Sequence, residues 1–96
     1  MRHFDNDLIP AFPTHPGEVL KDMLEDRGWT QREFAERIGR PIQLISKIIN
    51  GHSGITAETA IDFANAFEMS PKFWLDLDSR YRLDIEMIKR QERKAS

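Results

Sequence analysis

The chain has 96 residues, no cysteine and a formal net charge of −2. That length makes one small domain with a single core, and the missing cysteines exclude disulfides, thiolate metal sites and cysteine catalysis. No run approaches the ~20 apolar residues of a membrane span, and the opening MRHFDND lacks the charged and apolar regions of a secretory signal, so a cytoplasmic location is expected.

Residues 1–14, with Pro10 and Pro13 among alternating polar and apolar positions, show no helical period and are expected to form an extended arm. Residues 15–96 then make the folded domain. Pro16 and Gly28 bracket a first helix whose Val19, Leu20, Met23 and Leu24 form an apolar stripe. Thr30 and Glu33 read as a capping box, each side chain satisfying an amide that the next helix leaves unpaired. Trp29 and Phe34 flank that cap as a hydrophobic staple, which sets the angle of entry. Phe34, Ala35 and Ile38 recur at helical spacing, with Arg32, Glu33, Glu36 and Arg37 opposite. Gly39 suits a left-handed stop, and Pro41 suits the first turn of a third helix.

Placing residues of the third helix at about 100° intervals directs Pro41, Ile42, Ile45, Ile48 and Ile49 inward. Leu44 lies on the flank, and Gln43, Ser46, Lys47 and Asn50 face outward. An aliphatic seam behind amide, hydroxyl and ammonium groups suits a helix that reads the major groove. An ordinary helical hairpin with a solvated face shows the same periodicity.

Thr56 is positioned to cap a fourth helix, with Ala60, Ile61, Ala64 and Phe67 inward and Glu58 near its start. Ser70 and Pro71 start a fifth helix, expected over about 71–92, by cap-then-proline logic. It carries Phe73, Trp74, Leu77 and Tyr81, followed by Leu83, Ile85 and Ile88. Such a stripe serves either the core or an interface. These elements predict a compact all-α fold of five helices.

Charge is unevenly spread. Residues 1–26 set Arg2 and Lys21 against six acids. Residues 27–53 set Arg27, Arg32, Arg37, Arg40 and Lys47 against Glu33 and Glu36 alone. A negative total argues against indiscriminate nucleic-acid binding, but the local excess of base falls on the helix pair that would face DNA. Catalysis finds no foothold. His3, His15 and His52 lack the spacing of a helical metal pair, Asp76 and Asp78 diverge on a helix, and no glycine-rich phosphate loop is present.

From Gln31 onward the chain resembles the helix-turn-helix of phage repressors and their bacterial relatives, the XRE family. Gln31 opens the second helix, Ala35 is the small residue at the crossing, Gly39 lies in the turn, and Ile45 and Ile48 form the buried pair. The flanking HPGEVLKDMLEDRGWTQ and IINGHSGITAETAIDFANAFEMSPKFWLDLDSRYRLD resemble the HigA/VapI antitoxin branch of that family. The likeness spans about residues 15–84, and its HPGEVL and SPKFWLDLDSRY segments discriminate far more than the helix-turn-helix. Two departures stand out. The family commonly has an apolar residue at the place of Arg40 and polar ones at Pro41 and Ile42, so direct readout at the start of the recognition helix is thinner here.

The resemblance implies a repressor-like domain, dimerisation, no cofactor and no enzymatic activity. It implies sequence-specific repression as the antitoxin of a type II toxin–antitoxin operon. The partners would be double-stranded operator DNA and a HigB-like, ribosome-dependent mRNA-cleaving toxin, without a membrane. The acidic arm and first helix are candidates for the basic toxin. Expected DNA contacts are Gln31, Arg32, Arg40, Gln43, Ser46, Lys47, Asn50 and His52. Gln43 suits adenine, Lys47 guanine or phosphate, and Ser46 either. Arg40 is expected on phosphate. Phe73, Trp74, Leu77, Tyr81, Ile85 and Ile88 are the expected dimer contacts, setting recognition helices about 34 Å apart. A solitary regulator without a toxin, and an interaction module that has lost DNA binding, are the competing readings.

Overall fold

The computed structural model of the protein describes residues 12–95, so most of the expected arm lies outside the described residues. Among the described residues five helices follow in chain order: α1 Pro16–Arg27, α2 Gln31–Ile38, α3 Ile42–Ile49, α4 Ala57–Phe67 and α5 Pro71–Ala95. Helix α5, at 25 residues or about 37 Å, outlasts the predicted end near 92. It packs on α4 and α1, while α3 packs on α1 and α2, and α2 also on α4.

The helix boundaries follow local chemistry. His15 caps α1: its Nδ1 accepts from the Gly17 N–H at 2.9 Å, and Glu18 accepts from the His15 N–H at 3.2 Å. An imidazole is not one of the usual capping side chains, so the sequence assigned His15 no such role. At α2 the Thr30–Glu33 box forms in both directions, at 2.8 and 3.0 Å. The Trp29 and Phe34 rings stack with centroids 6.1 Å apart. Gly39 ends α2 at φ 69°, where a Cβ would be strained, and the Gly39 and Arg40 amides donate to the Glu36 and Ala35 carbonyls.

Two helix starts or faces differ from expectation. Pro41 is the N-cap of α3, with extended backbone, not a residue of its first turn. It is exposed rather than inward, and it offers no capping side chain. In α4 the buried stripe is Ala60, Phe63, Ala64 and Phe67, whereas Ile61 is 51% exposed. The i, i+3, i+4, i+7 face therefore runs through Phe63, and Ile61 falls about 60° beyond its edge at Ala64. Ser70 behaves as read, accepting from the Lys72 amide through Oγ and from Phe73 through its carbonyl.

One core joins all five helices. Trp74, Phe34, Phe63, Leu20, Ile45 and Ile48 are fully buried within it. Phe34 meets Phe63 and Phe67 at 5.2 and 5.1 Å between centroids, and Phe63 meets Trp74 edge-on at 5.0 Å, within the range where aromatic pairs add to area burial. Trp74 was expected at a dimer contact. Fully enclosed by the chain's own aromatic cluster, it has no surface to offer a partner.

Candidate nucleic-acid interface

Helix α3 presents a supported polar face. Ile45 and Ile48 are fully buried, and Ile42, Leu44 and Ile49 pack partly buried around them, so the helix cannot roll without exposing its seam. Leu44, read as flanking, does flank the core. On the other side Gln43, Lys47 and Asn50 are exposed and Ser46 half-buried. Their i, i+3, i+4, i+7 spacing makes one strip. Asn50 Nδ2 lies 3.4 Å from Ser46 Oγ, a weak local contact that keeps the amide beside the hydroxyl.

At the N-terminus of α2, Gln31 is half-buried and Arg32 exposed. His52, just beyond α3, is exposed, and its amide donates to the Lys47 carbonyl at 2.8 Å. It lines a groove of about 180 Å³ with His15, Ser53, Tyr81 and Arg82. Ser53 and Arg82 were not anticipated there, since nothing in their spacing links them to the helix pair. The α3–α4 loop is held by Asp78, buried on α5: its carboxylate accepts from the Ile55 N–H at 2.9 Å and pairs with Arg82 at 2.8 Å. Gly54 leaves the room this requires, because a Cβ there would crowd the Asp78 carboxylate. Asp76 points elsewhere and pairs with Lys72 at 2.7 Å.

Arg40 is paired within the chain. Its Nε donates to Asp62 Oδ2 at 2.7 Å, with Glu58 at 3.8 Å, so the guanidinium is turned onto α4. The signal was visible only as Glu58 and Asp62 standing one turn apart. Other bases of the segment are also engaged internally: the Arg37 and Arg27 guanidiniums lie 4.1 and 5.3 Å from the centre of the Trp29 ring, and Arg27 also reaches the Phe67 carbonyl at 3.4 Å. Arg32 and Lys47 have no ion pair or ring contact among the described residues.

On α5, Phe73 is 40% exposed, and Leu77, Tyr81, Ile85 and Ile88 are half-buried. Tyr81 packs edge-on against His15 at 4.8 Å. Leu75 and Leu83 are exposed at 39% and 55%. Among the described residues no group of His, Asp and Glu is arranged to hold a metal, and no helix is long and apolar enough to cross a membrane.

A helix-turn-helix family profile matches residues 20–74. Virulence-associated protein A′ of Dichelobacter nodosus is 39% identical over 74% of the chain, and the chain spans 63% of that protein's length. Antitoxin HigA-1 of Vibrio cholerae is 33% identical, covering 80% of the chain and 82% of the antitoxin. Among solved structures, the antitoxin HigA of Pseudomonas aeruginosa with the higBA promoter superposes with a TM-score of 0.80 at 28% identity, over 85% of this chain and 90% of that one.

Proposed function

Since the chain belongs to the helix-turn-helix family, in its HigA antitoxin branch, we propose that it represses its own operon as a sequence-specific antitoxin and neutralises the toxin encoded with it. It is a DNA-binding regulator and not an enzyme. The observation that carries operator binding is the polar strip of exposed Gln43, Lys47 and Asn50 with half-buried Ser46, rigidly backed by Ile45 and Ile48. The HigA of Pseudomonas aeruginosa, alike in fold, is seen with its promoter DNA.

In this reading Gln43 and Lys47 contact base edges, Arg32 and Lys47 supply phosphate attraction, and Gln31, Asn50 and His52 fix the register on the backbone. Pro41 and Ile42 carry no side-chain donor, so discrimination falls on the strip and on operator shape. Two copies related by a two-fold axis, meeting through Phe73, Leu77, Tyr81, Ile85 and Ile88, would set recognition helices in successive major grooves. The toxin partner is a HigB-like ribonuclease, and acting on DNA places the chain in the cytoplasm.

Fluorescence anisotropy with DNA from upstream of the gene tests the reading. Binding at least a hundredfold tighter than to random DNA of equal length, at fixed salt, is expected for an operator. Equal affinity for both overturns operator recognition and leaves the interaction module. A neighbouring short basic reading frame whose product co-purifies with the chain supports the antitoxin role, and its absence favours a solitary regulator.

A further inference from the structure

We propose that Arg40 is a positioning residue, holding the N-terminus of the recognition helix α3 to α4 through Asp62, and does not itself bind operator phosphate. The proposal rests on the operator-binding reading above. Arg40 occupies the turn between Gly39 and Pro41, immediately before α3. Its amide is already committed to the Ala35 carbonyl at 3.0 Å, which fixes the backbone. Helix α3 then starts with no side-chain cap, so the usual device for pinning a helix entrance is missing. The side chain supplies another. It spans 22 residues of sequence to Asp62 with a 2.7 Å charge-assisted bond, short and directional enough to orient the turn.

Packing makes that tie consequential. Helix α3 rests on α1 and α2, and the Arg40–Asp62 bond ties the turn leading into it to a third element. Both partners are partly shielded, with side chains 34% and 23% exposed. Electrostatics argues against the phosphate role. A phosphate drawn to Arg40 would also approach the carboxylates of Asp62 and Glu58, and the like-charge repulsion would cancel much of the attraction.

The two roles predict opposite signs for one substitution. With Arg40 as a positioning residue, Asp62→Asn weakens operator binding by about two- to fivefold, the equivalent of an ordinary partly exposed ion pair. Arg40→Ala does the same, the double variant is no worse than either single one, and the salt dependence of binding keeps its wild-type slope. With Arg40 on phosphate, Asp62→Asn strengthens binding, and Arg40→Ala reduces the salt slope by about one. Either of those results overturns the proposal. Circular dichroism confirms that each variant is folded.

Hydrogen exchange on the free full-length chain provides a reading independent of DNA. The Leu44 amide, which donates to the Pro41 carbonyl at 3.1 Å across the first turn of α3, should exchange several-fold faster in Asp62→Asn than in wild type, while core amides of α4 are unchanged. Unchanged protection at Leu44 overturns the proposal. Wild-type chain without operator preference overturns the functional reading instead, and faster exchange at Leu44 would still establish the tie.

Discussion

Gly17 lies against the backbone carbonyl of Ile48, so close that a Cβ at position 17 would overlap that oxygen. The first turn of α1 is thereby seated on the last turn of α3, and the recognition helix is braced from behind by backbone. Gly17→Ala should force the two helices apart and destabilise the fold by about 1–3 kcal/mol, the usual cost of overpacking. Urea denaturation should show a lower midpoint with an unchanged slope. An unshifted midpoint would mean that the helices separate without cost.

The exposed strip of α3 makes a prediction about recognition. Gln43→Ala and Lys47→Ala should each weaken operator binding by about 1–3 kcal/mol while leaving binding to random DNA much less affected. Among the described residues neither side chain has an ion pair to lose, so stability should hold. Equal losses on both DNAs would assign these residues to the phosphate backbone.

Asp78 joins the α3–α4 loop to α5 through the Ile55 amide and Arg82. Asp78→Ala strands a buried N–H and should cost about 1–3 kcal/mol. Asp78→Asn, which keeps an acceptor oxygen, should cost less. Hydrogen exchange should locate the loss at the Ile55 amide, and uniform loosening across all five helices would contradict a local tie.

Trp74 and Ile88 share a helix but should respond differently. Trp74→Ala empties a fully buried site and should lower stability by about 3–5 kcal/mol. Half-buried Ile88 lies toward the end of α5 remote from that cluster, so Ile88→Lys should halve the mass seen by light scattering at micromolar concentration while the helices persist. A wild-type chain that is monomeric with and without DNA would remove the proposed two-fold contact.

What sequence made legible was local. The Thr30–Glu33 box, the Gly39 stop and the Ser70 cap each join groups within four residues, so backbone geometry alone brings them together. The Ile45 and Ile48 seam followed from helical periodicity, and the family followed from the segments on either side of the helix pair. Pro41 missed its place by one residue because helix phase at a proline depends on whether the preceding turn spends its amides on the earlier helix, as Arg40 does on Ala35.

Tertiary structure decided which of the helical surfaces remained available. Trp74 was expected at a dimer contact, and it joined the core because α4 brought Phe63 and Phe67 against it. The fold alone set Asp62 beside Arg40, and it alone brought the Ile55 amide, 23 residues away in sequence, to the Asp78 carboxylate. Sequence by itself determined the helices, the Thr30, Thr56 and Ser70 caps and the polar strip of α3, because those rest on interactions within a turn. The engagement of each charge and ring was set by contacts between distant segments, whose distances exist only once the five helices share a core.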